Sequence, residues 1–345
     1  MSPWSMLFEP AILFFLIGCF VALIRSNLEI PQPVAKFLSL YLLMAVGFKG
    51  GQSLAQTGFN QAVLTVILIA MFMALVVPAW SYLILRRGVG VFDAAAIAAT
   101  YGSVSAVTFT VGSQFVAAQQ APVSGGATVA LVLMESPAIV MAVLLASWAR
   151  SREGGKPMHP AASSAEMEAV MPETVAAQAK SPISVKAVLH EAFTDGAHLL
   201  LIGSLVVGAV TGEKGAEAMQ PFTGGLFKGF LAFFLLEMGL LVGRQLREAR
   251  DVGPFLIGFG LIMPPLHALV ALMLAKFAGT SLGDATLLAV LAASASYIVV
   301  PAVIRYAIPE ARPSRYFTMS LAITFPFNVL IGIPLYYAIA TRLWQ

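Results

Sequence analysis

Charge is what this chain has least of. Only 11% of its 345 residues are Asp, Glu, Lys or Arg, against about 25% in an average soluble domain. With 59% hydrophobic residues and a mean hydropathy of +0.87, too little polar surface exists to wrap a soluble globule of this length. The class that remains is an all-α polytopic membrane protein. Cysteine is nearly missing: Cys19 stands alone, which excludes a disulfide framework and any cysteine-based zinc site. There is no basic run and no Lys/Arg patch interleaved with aromatics, so nucleic acid is not an expected partner. HExxH, a nucleotide-binding glycine loop and a Ser/His/Asp constellation are also missing, and no enzyme is expected.

Apolar runs are what the chain has in abundance. A helix of roughly 20 residues crosses about 30 Å of hydrocarbon. Runs of that order fall at 7–24, 34–57, 62–85, 92–119, 127–149, 197–212, 222–243, 253–277, 284–308 and 316–341. All ten read as helices, because lipid offers unpaired backbone amides no partner. The first has no basic stretch ahead of it and Arg25 behind it, which reads as a span and not a cleaved signal. Fifteen of the 20 Lys and Arg residues lie in the odd-numbered loops. That bias puts the linker at 150–195 in the cytoplasm and both termini outside. The first part of the linker is polar and Ala/Pro-rich, with no apolar face to bury. Val185, Val188, Leu189 and Phe193 are spaced as one face of a short amphipathic helix.

The chain resembles itself. Leu16-Ile17-Gly18 matches Leu201-Ile202-Gly203, and Met44 to Gly47 resembles Leu236 to Gly239. The clearest match is ungapped: Asp93 to Val107 lies over Asp284 to Ile298, placing Ser103 on Ser294 and Ser105 on Ser296. Ser136-Pro137 then falls on Phe325-Pro326. The expectation is a five-helix repeat over 1–149, the linker over 150–195, and a second five-helix repeat over 196–345. An odd number of spans inserts the second copy upside down. Such 5+5 inverted repeats mark secondary transporters, whose sites lie at the bilayer midplane where broken helices meet.

Two stretches invite such breaks. In the fourth span, Gly102, Ser103, Val104, Ser105 and Thr108 weaken the helix in its middle; in the ninth, Ser294, Ala295, Ser296 and Tyr297 precede Pro301. Hydroxyls satisfy freed backbone groups, and a second half-helix starts with unpaired N–H groups at a positive dipole end. These nine residues are the candidate substrate site, aimed at a small anion. The bland alternative is that small residues only permit tight helix packing. Glu135 lies inside the fifth span beside Pro137, with Thr324 and Asn328 at matching places in the tenth. Glu135, Thr324, Asn328 and Ser105 offer hard oxygen ligands suited to Na⁺ or H⁺, although Glu135 also reads as a structural, hydrogen-bonded carboxylate. Lys49 and Glu237 read as packing or interface features, His267 as a core histidine. His159, His190 and His198, in or beside the linker, have no cluster to join. Gly47, Gly50 and Gly51 read as a close helix contact.

These motifs, taken in order, resemble the sodium-dependent bicarbonate transporters of the cyanobacterial type. The likeness rests on Gly47-Phe48-Lys49-Gly50-Gly51, Gly102-Ser103-Val104-Ser105, Met134-Glu135-Ser136-Pro137-Ala138, Ala292-Ala293-Ser294-Ala295-Ser296 and Gly332-Ile333-Pro334-Leu335. It implies a core domain and a gate domain, bicarbonate between the broken spans four and nine with Na⁺ beside it, and no other cofactor. It also implies a homo-oligomer, often a trimer, in the cytoplasmic (inner) membrane of a bacterium, controlled by a cytoplasmic PII-like protein. The chain departs from the family where Tyr297 replaces an acidic residue, where Ala106-Val107 replaces Gly-Ser, and where Val300-Pro301-Ala302 replaces Gly-Pro-Pro. Sodium-coupled import of bicarbonate is the leading expectation. Proton-coupled movement of another small carboxylate or neutral solute, and a non-transporting membrane sensor, are its rivals.

Overall fold

The computed structural model describes residues 3–152, 196–248, 252–297, 300–301, 304 and 307–345. The amphipathic helix expected within the linker, and His159 and His190, lie outside them. Every element described is helical: α1 (Pro10–Leu23), α2 (Gln32–Thr57), α3 (Gln61–Leu85), α4 (Val91–Gly102), α5 (Ala106–Ala118) and α6 (Gly126–Arg152) come before the linker. After it come α7 (Gly196–Gln220), α8 (Leu226–Glu248), α9 (Pro254–Phe277), α10 (Leu282–Ala293) and α11 (Pro313–Trp344). Val300, Pro301, Ile304 and Ala307, beyond the second break, are helical as well. Six stretches are long and apolar enough to cross a membrane: α2, α3, α4 with α5, α7 with α8, α9, and α11. Shorter apolar helices include α1 and α10. The protein is a polytopic integral membrane protein, and large apolar side chains such as Leu68, Phe72, Phe233 and Ile262 are exposed on its outside, where lipid is their natural neighbour.

The helices pack in two groups. In the first, α1 lies along α8 and α2 along α7, the two most extensive interfaces of the described residues. Both depend on glycine: a Cβ at Gly47 would stand 2.6 Å from the Leu201 carbonyl, and Gly51 faces the Leu205 carbonyl just as closely. On the other pair, Gly18 meets the backbone of Leu236 and Gly239. Backbones this close gain dispersion contacts that lipid does not supply. The expected role of Gly47 and Gly51 as a packing surface is what the structure shows.

The second group gathers α3, α4, α6, α9, α10 and α11. At its centre α4 and α10 are enclosed on all sides: Asp93–Gly102 and Gly283–Ala293 are buried without exception. Alanines at 94–96, 98 and 99, and at 285, 289, 292 and 293, let neighbours close around them. Each helix begins on a buried aspartate that reaches across the molecule. Asp93 accepts the Arg312 backbone N–H at 2.8 Å and pairs with Arg315 at 2.8 Å. Asp284 accepts the Ser124 backbone N–H at 3.1 Å and the Ser281 hydroxyl at 2.9 Å. Two π-type turns, Thr318–Thr324 and Asn328–Gly332, widen α11 just ahead of or beside Pro326 and Pro334, which have no N–H to close an ordinary turn.

Candidate functional site

The expected fourth and ninth spans both break in the middle. Residues 103–105 separate α4 from α5, and 294–297 follow α10 outside any helix. The second break begins at Ser294, and Pro301 already lies within helix, after Val300. The two breaks cross and are stitched together. The Ser105 N–H donates to Ser294 Oγ at 3.0 Å, and the Ser296 N–H donates to the Thr100 carbonyl at 2.8 Å. Ser294 Oγ also donates to Leu291 O at 2.8 Å.

Each break carries a serine whose hydroxyl accepts an amide of the helix that follows. Ser105 Oγ accepts the Thr108 N–H at 3.2 Å, and Ser296 Oγ accepts the Val300 N–H at 3.3 Å. In α5 the first amides, at Ala106 and Val107, have no intrahelical acceptor by geometry, and both residues line a cavity. The dipole of α5 makes that end electropositive without a charged side chain.

The cavity, about 100 Å³, lies between the two helix groups. It exceeds the 10–15 Å³ or so that one water needs, so a small ion with part of its hydration fits. Val104, Ser105, Ser296 and Tyr297 of the expected site line it, together with Glu135. Gly102, Ser103, Thr108, Ser294 and Ala295 stand behind this lining as the scaffold of the crossing. Gly102 packs on Pro78. Ser103 Oγ and Thr108 Oγ1 are buried and have no hydrogen-bond partner among the described residues; the Tyr297 hydroxyl lies beside Ser105, its ring edge-on to Phe325.

Of the four cation candidates, the cavity brings together Glu135 and Ser105. Thr324 is engaged elsewhere, with the Tyr101 hydroxyl at 2.5 Å and the Gly260 carbonyl at 3.1 Å. Asn328 donates to the Ala293 carbonyl at 2.8 Å and accepts from Tyr336 at 2.7 Å, so it ties the end of α10 to α11. His198, expected to have no cluster to join, instead lies 2.6 Å from Glu135 through Nδ1 and lines the same cavity; Ser39 and Thr110, which the sequence did not single out, line it too. His198 stands at the foot of α7, 63 positions from its partner, and no local pattern signals such a contact. His267 is a core histidine, stacked on Trp80 and accepting its indole N–H at 2.9 Å. Lys49 lies over the Phe227 ring at 4.8 Å.

A helical membrane protein whose broken helices cross beside a small cavity carrying a carboxylate and several hydroxyls has the architecture of ion and solute transporters. Residues 10–341 match the family model of the Na⁺-dependent bicarbonate transporter superfamily, and the chain belongs to that family. No curated protein matches the chain.

Proposed function

We propose that this protein is a secondary transporter that imports a small anion, bicarbonate first, by alternating access coupled to Na⁺. The observation that carries this reading is the crossing itself. Two breaks present capped half-helix starts to one cavity that holds a carboxylate. The electropositive start of α5 and the hydroxyls of Ser105 and Ser296 suit an anion; Glu135 suits the cation.

The same reading includes ten spans in two inverted repeats of five. In its support, α1 packs on α8 as α7 packs on α2, which is what exchange of the first and second spans of each repeat requires. Gly18 meets the backbone at Leu236 and Gly239, and Gly208 meets it at Phe48. Gly18 and Gly208 stand 190 positions apart, in keeping with the 191 that separates Asp93 from Asp284. Those two aspartates receive the backbone N–H of Arg312 and Ser124, again nearly the same separation. In this reading α1, α2, α7 and α8 form the gate and the remaining helices the core. In the same reading the linker at 150–195 faces the cytoplasm of a bacterium, both termini lie outside the inner membrane, and the protein works as a trimer under PII-like control.

Uptake of labelled bicarbonate by purified protein in liposomes tests the proposal. Accumulation driven by an inward Na⁺ gradient, and lost when choline replaces Na⁺, is expected. Flux driven equally by a proton gradient without Na⁺ would favour a proton-coupled carrier, and absence of any flux would favour a sensor. Tyr297 brings no charge at neutral pH, since a phenol has a reference pKa of about 10. Tyr297→Asp is therefore expected to strengthen sodium dependence.

A further inference from the structure

The cavity holds one carboxylate and one imidazole in its described lining; the other polar groups there, on Ser39, Ser105, Thr110, Ser296 and Tyr297, are neutral hydroxyls. The two come from different helix groups. Glu135 is on α6, which packs mainly on α3 and α4, whereas His198 is on α7, which packs mainly on α2. Their contact, Nδ1 to Oε2 at 2.6 Å, bridges the groups at the one carboxylate available to a cation. A ring carrying its proton on Nδ1 donates to the carboxylate and adds no charge, so it fixes the carboxylate's rotation without competing for its ligand. Such partners of ligating groups are worth about 10–100-fold in metal affinity.

We infer that His198 is the positioning residue of the cation site, and that it makes Na⁺ affinity depend on how the two helix groups sit. This rests on the proposed Na⁺ coupling and deepens it. The carboxylate is oriented when α7 is closed against α6, and left to swing when the two separate. A ligand shifts a conformational equilibrium only by its differential affinity for the two states. Here the His198–Glu135 contact supplies that difference: bound Na⁺ favours the closed arrangement. The position of His198 is itself fixed by the close packing of α7 on Gly47 and Gly51 of α2, so movement of that pair of helices carries the ring away.

The test uses the full chain in liposomes, measuring labelled bicarbonate uptake against NaCl with choline chloride as balance. His198→Ala is expected to raise the Na⁺ concentration for half-maximal uptake about tenfold. Its maximal rate and its bicarbonate KM at saturating Na⁺ should stay within about twofold of the original. His198→Asn, whose side-chain amide stands where Nδ1 stood, is expected to restore most of the Na⁺ affinity. Should His198→Ala fail to fold, the Na⁺ concentration that half-stabilises purified His198→Asn and His198→Gln against heating gives the same ordering. Unchanged Na⁺ affinity in His198→Ala, or equal losses of Na⁺ affinity, bicarbonate affinity and rate, would overturn the positioning role alone. Parent protein whose uptake and melting both ignore Na⁺ would overturn the sodium reading and this role with it.

Discussion

The two broken spans are built alike, but the helices that follow them are not. Each break is preceded by a buried helix with an aspartate in its first turn, and each carries a serine whose hydroxyl accepts an amide of the helix that follows. Downstream, α6 places Glu135 on the cavity beside His198, whereas α11 turns Thr324 and Asn328 inward, onto Tyr101, Gly260, Ala293 and Tyr336. One half of the molecule thus supplies charge to the site, and the other supplies internal bonds that hold the crossing in place. In the proposed two-repeat reading the two copies have taken different loads, and the difference sets which changes should harm transport and which should harm stability.

The largest contrast should come from Glu135 on α6 against Thr324 on α11. Glu135→Gln keeps a hydrogen-bond acceptor for His198 and removes the negative charge. It is expected to abolish the Na⁺ dependence of uptake, whereas Thr324→Val should leave that dependence intact and lower stability by roughly 1–3 kcal/mol, since Tyr101 loses its partner. Sodium titrations of uptake and thermal melts separate the two; normal Na⁺-driven transport by Glu135→Gln would make the carboxylate structural.

A second contrast lies in the aspartates. Asp93 holds a backbone amide and the Arg315 guanidinium, and Asp284 holds neutral groups only. Asp93→Asn is expected to cost about 2–3 kcal/mol, as loss of a charge-assisted pair would. Asp284→Asn, which keeps an acceptor for Ser124, should cost nearer 1 kcal/mol. Equal melting shifts would erase the distinction.

Matched serines sharpen it further. Ser294→Ala strands the Ser105 amide in a buried place and should destabilise by about 1–2 kcal/mol. Ser103→Ala removes a hydroxyl without a described partner and should change stability by less than about 0.5 kcal/mol.

The smallest effect belongs to the clasp between the end of α6 and the loop before α11, where Arg150 grips both oxygens of Glu310 at 2.9 and 3.0 Å. Burial opposes ionisation of Glu310, but the hydrogen bonds and charge of Arg150 outweigh it and hold the carboxyl below its usual range. A depressed carboxylate contributes stability above its unfolded pKa, near 4.3, and loses that contribution as pH falls through the folded value. Arg150 is 40% exposed, so Glu310→Gln should cost less than about 1 kcal/mol at pH 7. The gap from the parent should close on acidification below pH 4.

Much of this was legible beforehand, because lipid enforces helices and apolar runs announce them. The runs at 34–57, 62–85 and 253–277 coincide with α2, α3 and α9 to within two residues. Both breaks were readable from hydroxyls and Gly102 in mid-span. The position of the second was not, since Pro301 draws attention to a point eight residues past the true end of α10, where proline is harmless. The serine-lined part of the cavity was readable from the internal match. His198 was not, for its partner is distant in sequence and its neighbourhood reads as linker. Nor was the inward turn of Thr324 and Asn328: their alignment with the region of Glu135 carries no information about which way a π-widened helix faces.

The central claim, that both half-helix starts hold one anion, is tested most directly by a double-mutant cycle on the apparent bicarbonate affinity of Ser105→Ala, Ser296→Ala and the double variant, at saturating Na⁺. Each single change removes a hydroxyl from a desolvated anion site, worth about 1.5–3 kcal/mol, so each should weaken affinity tenfold or more. Residues sharing a ligand are coupled, so the double variant should depart from additivity by at least about 0.5 kcal/mol. Unchanged affinity in both single variants, or strictly additive losses, would contradict a shared site at the crossing.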